Sequence, residues 1–321
     1  MLNQKNLPMK FGILAAVTIQ FSLAVAVQDM HWLPLLLIAW TIGGTINHSM
    51  TLAMHELSHN LGFKTLFMNR VFGLLANAPL GIPSFAYVSA QPCLCKPSCP
   101  AVLVYTWPCL SLCIHSTFKR YHMEHHKYQG EVGIDVDVPT RAEGWIFRGV
   151  IGKVFWAVMQ PLFYSIRPIA TNPKPATAME GLNWLVQLAV DVAVAYLLGW
   201  RSVAYLIAST LLGMGIHPLA GHFIAEHYTF LTGQETYSYY GPLNWLSFNV
   251  GYHNEHHDFP NVPGTLLPDL RLTSPELYDD LPVHSSWIKV IFRYIHSPLL
   301  GPFARVTRDT MGGHLPKELQ R

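Results

Sequence analysis

The chain has 321 residues, 50% of them hydrophobic and 12% charged, with a mean hydropathy of +0.24. Soluble globular proteins carry about 25% charged residues, so an ordinary water-facing enzyme is excluded, and the apolar half excludes disorder. Lys and Arg number 21 against 19 Asp and Glu, a net charge of +2 that offers no field for nucleic acid. The composition predicts one domain, residues 1–321, embedded in a membrane.

In chain order, residues 11–27 and 32–54 hold no charged side chain, and each approaches the ~20 residues that cross a bilayer. Lys5 and Lys10 before the first stretch fit a signal peptide as well, but no small-residue cleavage site follows, so an uncleaved span is expected. Residues 71–88 and 145–169 are apolar but broken by Pro79, Pro83, Pro161 and Pro168 and by Arg148, Lys153 and Arg167. They are predicted to lie in the interface or to be partly re-entrant. Residues 182–200 and 202–220 form a second pair of spans, joined at Arg201. Asp191 inside the third span is costly in lipid unless it faces protein or water, and a helix–helix hydrogen bond is expected. The Pro-rich residues 258–321 are expected to face water. Lys64, Arg70, Lys119, Arg120, Lys127 and Arg141 lie between spans two and three, whereas the short hairpin linkers carry only Arg201. This places residues 55–181 and both termini in the cytosol.

Histidine is the anomaly. There are 17, and eight of them fall in three five-residue windows: His55 and His59 in HELSH; His122, His125 and His126 in HMEHH; His253, His256 and His257 in HNEHH. Spacings of i, i+3 and i+4 gather rings on one helix face, and the predicted topology returns all three windows to one side of the membrane. Neutral imidazole suits iron, zinc and copper. A catalytic zinc takes about three protein ligands, so eight ligands suit two metals with open positions. His227 and His222, in GHFIAEHY, are candidates to complete the set, and His227 is favoured because it is nearer the third window. His48, deeper in the span, reads as structural or as a residue standing behind the ligands. Asp135, Asp137, Glu124, Glu226 and Glu255 are candidates to orient the rings.

HELSH also matches the zinc-protease pattern H-E-x-x-H with Glu56 as base, but that reading leaves at least five clustered histidines unused. A metal carrier would need ligands along its spans, and these cluster outside them. Acid–base chemistry cannot take hydrogen from an unactivated methylene, whereas an oxygen-activating metal can. The residues therefore point to an iron- and oxygen-dependent lipid desaturase or hydroxylase.

NHSMTLAMHELSHN, FKRYHMEHH, VDVPT, QPLFYSIRP, HPLAGHFIAEHY, ETYSYYGPLN and NVGYHNEHHDFPNVPG together resemble the sphingolipid Δ4-desaturases (dihydroceramide desaturases) over nearly all of residues 10–310. The resemblance implies an all-α integral membrane protein with four transmembrane helices and a cytosolic helical cap that holds a histidine-rich di-metal site. It implies a trans double bond placed between carbons 4 and 5 of dihydroceramide, with hydroxylation at carbon 4 as the related outcome. It further implies two irons, O2, electrons from NADH through cytochrome b5 reductase and cytochrome b5, and residence in the endoplasmic reticulum membrane. Carried over, the metal ligands are His55, His59, His122, His125, His126, His253, His256 and His257, with His227 or His222 added. No His-Pro-Gly-Gly haem segment occurs, so a separate cytochrome b5 is expected. Lys119, Arg120, Lys127, Lys289, Arg293, Arg305 and Arg308 are candidates to attract its acidic surface. Tyr237, Tyr239 and Tyr240 are candidate hydroxyl donors to the substrate.

Two departures stand out. The family opens with a polar segment of some tens of residues, whereas the first apolar stretch here begins almost at once. Residues 86–116 interrupt the family pattern and hold all five cysteines, within the span from Cys93 to Cys113. They read as a loop or as translated non-coding sequence, with a zinc site at Cys93, Cys95 and Cys99 as the alternative.

Overall fold

A computed structural model of the protein describes residues 7–83 and 118–309. The Cys-rich segment 86–116 lies outside the described residues. The elements in chain order are helices α1 (Leu7–Ala26) and α2 (Trp32–Ile38), a π-helical turn (Ala39–Gly43), and helices α3 (Gly44–Ser58), α4 (Leu66–Asn77), α5 (Phe118–Lys127), α6 (Arg141–Ile146), α7 (Gly149–Val158), α8 (Gln160–Thr171), α9 (Ala178–Leu198), α10 (Trp200–Met214) and α11 (His222–Ala225). Strand β1 (Ser238–Tyr239), helices α12 (His253–Asp258), α13 (Leu267–Thr273) and α14 (Pro275–Tyr278), strand β2 (Val283–His284) and helix α15 (Trp287–His296) follow. β1 and β2 pair in parallel, Ser238 opposite Val283.

Among the described residues, two uninterrupted helices are long and apolar enough to cross a membrane, Pro8–Ala26 and Ala178–Leu198. Two bent pairs reach that length if each is one span: α7 with α8, bent by 79°, and α10 with the Leu219–Ala225 segment, bent by 41°. The second predicted span is a composite of α2, the π turn and α3. The fourth stops at Met214, short of its predicted end at residue 220: Gly215 turns out of helical geometry, with φ −93° and ψ −121°, and Pro218 beyond it has no amide hydrogen with which to resume the ladder. The bend expected in residues 145–169 falls at Met159, with Pro161 in the first turn of α8.

Small and polar residues hold the apolar helices together. A Cβ built on Gly213 of α10 would stand 2.5 Å from the carbonyl oxygen of Gly44 on α3, so these two backbones meet in a way only glycine permits. Beside this contact Asn47 Nδ2 donates to Thr210 Oγ1 at 2.9 Å. Asp191 accepts from Gln187 Nε2 one turn earlier on α9, at 2.9 Å. Gln187 in turn meets Asn77 and the Ala78 carbonyl, so Asp191's own bond stays within its helix and Gln187 makes the cross-helix link.

A second core lies beneath the histidine-bearing segments, built on Trp156, Tyr228, Tyr237, Tyr239, Trp287 and Tyr294. Lys153 is buried in it and donates to the carbonyls of Tyr294, Ser297 and Leu300, which caps the end of α15 and ties it to α7. The last stretch is less polar than its composition suggests. α15 buries Trp287, Val290 and Tyr294 on one face and leaves Ile288 and Phe292 exposed on another.

Candidate metal centre

Seven of the nine histidines of the predicted ligand set that includes His227 lie within helices and His59 caps the end of α3, and the geometry of a helix turn sets which rings of a box point together. Successive residues are about 100° apart around the axis, so i and i+4 nearly superpose while i+3 falls on the other side of i. His55 and His59 at the end of α3, His122 and His126 on α5, and His256 on α12 place their donor atoms within 4.8 Å of one another. His125, His227 and His257 form a second group within the same limit, and His253 Nε2 lies 2.9 Å from His227 Nε2. The boxes HMEHH and HNEHH are therefore each divided. The i, i+4 pair of α5 (His122, His126) joins the first group and His125 the second. On α12 the i, i+4 pair (His253, His257) joins the second group and His256 the first. The expectation that all three rings of a box point one way is corrected by this split.

Within the first group, Nε2 atoms stand 2.9 Å apart for His59 and His122, 3.0 Å for His122 and His126 and 3.0 Å for His126 and His256. In the second, His125 and His227 are 3.0 Å apart. Two nitrogens each about 2.1 Å from one ion, at right angles, lie about 3.0 Å from each other. The groups adjoin, with the His126 and His257 ring centroids 4.4 Å apart.

Protonation agrees with this spacing. Burial, reinforced by neighbouring imidazoles, pushes His122, His227, His253, His256 and His257 well below the ordinary histidine value and His126 down to about 3. These rings are neutral and offer lone pairs. His125 differs: burial lowers it, but the charges of Asp137 and Asp135 and the hydrogen bond it donates to Asp135 outweigh burial and raise it. Its Nδ1 lies 3.1 Å from both Asp135 oxygens. Asp135 also accepts from the amides of Gly130 and Asp137. An Nδ1–H held by a carboxylate leaves Nε2 as the donor toward the second group.

The remaining predicted residues are placed as follows. His222 joins neither group; its Nδ1 is 2.7 Å from Glu226 Oε1. Glu226 Oε1 also lies 3.6 Å from His253 Nδ1. Glu255 accepts from Ser238 and Tyr240, and Glu124 pairs with Lys174. His48 Nδ1 lies 2.8 Å from the Gly213 carbonyl oxygen, a structural contact. Glu56 is buried and accepts from the Gly264 amide at 2.9 Å, so it is tied to backbone where a protease would need it as a free base. Among the basic residues, Arg305 and Arg293 donate to the Asp137 and Phe230 carbonyls and Arg308 pairs with Glu235.

A cavity of about 180 Å³ opens beside the imidazoles, lined by His55, His122, His125 and His253 and by apolar residues such as Leu52, Met54, Ile82, Met214, Phe223 and Val250. Tyr237, Tyr239 and Tyr240, the candidate hydroxyl donors, are not among its walls. The Tyr237 hydroxyl serves the Leu231 amide and the Gln234 carbonyl, that of Tyr239 accepts from the Leu243 amide, and that of Tyr240 donates to Glu255. Sequence reasoning missed a clamp behind Asp135. Arg167 donates to both oxygens of Glu143 at 2.8 and 2.6 Å and to the Val136 carbonyl. The signal was Arg167 as one of three basic residues, with Arg148 and Lys153, in the largely apolar stretch 145–169.

Buried imidazoles in two adjoining groups at an apolar cavity define a class of protein: a helical one, equipped to hold metal beside space for a lipid chain. Residues 100–287 match the fatty acid desaturase family. The sphingolipid delta(4)-desaturase/C4-monooxygenase DES2 of Homo sapiens is 47% identical over 302 residues, covering 94% of this chain and 84% of the human protein. The sphingolipid delta(4)-desaturases DES1 of Drosophila melanogaster and of Homo sapiens are each 45% identical, over 93% and 94% of this chain and 84% of their own lengths. The chain belongs to the fatty acid desaturase family and, within it, to the sphingolipid delta(4)-desaturases.

Proposed function

We propose that this enzyme desaturates dihydroceramide between carbons 4 and 5 of its sphingoid base to give ceramide. The observation that carries this reading is the meeting of two imidazole groups at the wall of an apolar cavity, in a chain 45–47% identical to sphingolipid delta(4)-desaturases. His55, His59, His122, His126 and His256 would hold one iron, and His125, His227, His253 and His257 the other. Such a pair supplies O2-dependent removal of hydrogen from an unactivated methylene, chemistry no side chain provides. The protein's own residues do the rest. Leu52, Met54, Ile82 and Phe223 bind the chain and exclude water, and the Asp135 carboxylate fixes the His125 ring. Two hydrogens leave the lipid, and two electrons from NADH, delivered through cytochrome b5 reductase and cytochrome b5, complete the reduction of O2 to water.

The wider reading is one membrane domain over residues 1–321. It has four spans, made of α1, the α2–α3 composite, α9 and α10, and sits in the endoplasmic reticulum membrane with the histidine boxes and both termini cytosolic. The apolar helices and the asymmetry of Lys and Arg support it. A second outcome, C4 hydroxylation, is favoured by one specific observation: DES2 relatives from human, rat and mouse are named for both activities. The test is to feed labelled dihydroceramide to desaturase-null cells expressing this chain and resolve the sphingoid bases by mass spectrometry. The Δ4 alkene is expected; neither alkene nor 4-hydroxy product would overturn the proposal.

A further inference from the structure

The substrate's own chemistry limits where its polar end can be read. Carbons 4 and 5 must come to the imidazole groups, and the 3-hydroxyl hangs on the neighbouring carbon. Its partner must therefore stand beside the metal-binding histidines, on the cavity wall. Most hydroxyls there are already engaged by main chain: Tyr121 donates to the Asn172 carbonyl, Ser165 to Pro161, Thr210 to Leu80 and Thr51 to His48. His222 differs. It lines the cavity and is 3% exposed, and its Nε2 is buried without any hydrogen-bond partner. It belongs to neither imidazole group. Its ring is fixed by Glu226, whose Oε1 is 2.7 Å from His222 Nδ1 and 3.6 Å from Nδ1 of His253, so this one carboxylate spans a ring of the second group and the unpartnered ring beside it. The His48 ring meets His222 edge-on at 5.0 Å and carries a second buried nitrogen without a partner. Buried polar atoms left unpaired in a native fold call for a completing group.

Resting on the desaturase reading above, we infer that His222, held by Glu226, is the hydrogen-bond partner of the sphingoid 3-hydroxyl and positions carbons 4 and 5 against the histidine groups. This gives the polar recognition role to α11, with Phe223 and Met214 continuing the apolar wall for the chain. On this arrangement a chain lacking the hydroxyl would leave the imidazole nitrogen buried and unpaired, and should bind less tightly.

The test uses the full-length, iron-loaded protein in nanodiscs without an electron donor, so that binding is read without turnover. Affinity is measured for dihydroceramide and for its 3-deoxy counterpart, and iron per chain is measured on the same samples. Wild type is expected to prefer the hydroxylated lipid about tenfold. His222→Phe should erase that preference through weaker binding of dihydroceramide alone, with iron unchanged; His222→Asn, which keeps a polar atom, should retain part of it and decides the matter if the first variant fails to fold. Preference surviving in both variants, or iron falling in both, which would make His222 a ligand, overturns the assignment. A wild type that converts dihydroceramide yet does not discriminate between the two lipids overturns it alone. A wild type that neither binds nor converts dihydroceramide brings down the desaturase reading as well.

Discussion

The two imidazole groups are built by different means. In the second, His125 rests on Asp135, a carboxylate anchored by two backbone amides, and His253 lies beside Glu226. In the first, His126 and His256 keep buried Nδ1 atoms without partners, as His253 Nδ1 and His257 Nε2 do in the second, and among the described residues no carboxylate stands behind His126 or His256 as Asp135 stands behind His125. The His125 ring is oriented by charge and hydrogen bonds, the His126 and His256 rings by helix packing. The second group should therefore respond to loss of a single neighbouring charge, and the first only to loss of a ligand or to movement of a helix.

The largest expected effect treats the groups alike. His125→Ala and His256→Ala should each abolish product, with iron falling from about two toward one per chain, read by mass spectrometry and elemental analysis. Full activity in either variant would break the comparison by showing that one group is dispensable. Next, Asp135→Asn leaves all donor nitrogens in place but removes the charge behind His125; a 10–100-fold loss of activity or metal affinity is expected, confined to one of two irons in a chelator titration. Equal weakening of both sites would deny the distinction.

Arg167→Met acts one step further back. It leaves Glu143 buried without its bidentate partner, which costs about 3–5 kcal/mol and frees the 135–137 segment; a lower melting temperature with weaker metal retention is the readout. The pH dependence follows from the same pair. Burial, the largest influence on Glu143, raises its carboxyl, but the hydrogen bonds and charge of Arg167 outweigh it, with the Thr140 amide and Trp156 adding to them, so the group titrates below its usual value. Its contribution is present at neutral pH and is lost as pH falls through that lowered value. Acid melting curves of wild type and Glu143→Gln should converge there. The smallest effect belongs to Tyr240→Phe: about 1 kcal/mol of stability from the Glu255 bond, with KM unchanged within about twofold. A large rise in KM would return Tyr240 to the substrate site.

The amino-acid sequence by itself determined the class: an apolar chain with few charged residues, and eight histidines at helical spacings that suit metal. It also carried the break in residues 145–169, because prolines act on their own backbone. Only the tertiary structure decided how the boxes are shared, which acid stands behind which ring, and that Tyr237, Tyr239 and Tyr240 turn from the cavity while His222 faces it with a nitrogen to spare. The reason is physical. Helical periodicity fixes the angle between residues of one segment, but the neighbour met at that angle is set by packing with elements distant in the chain, such as α5 against α12.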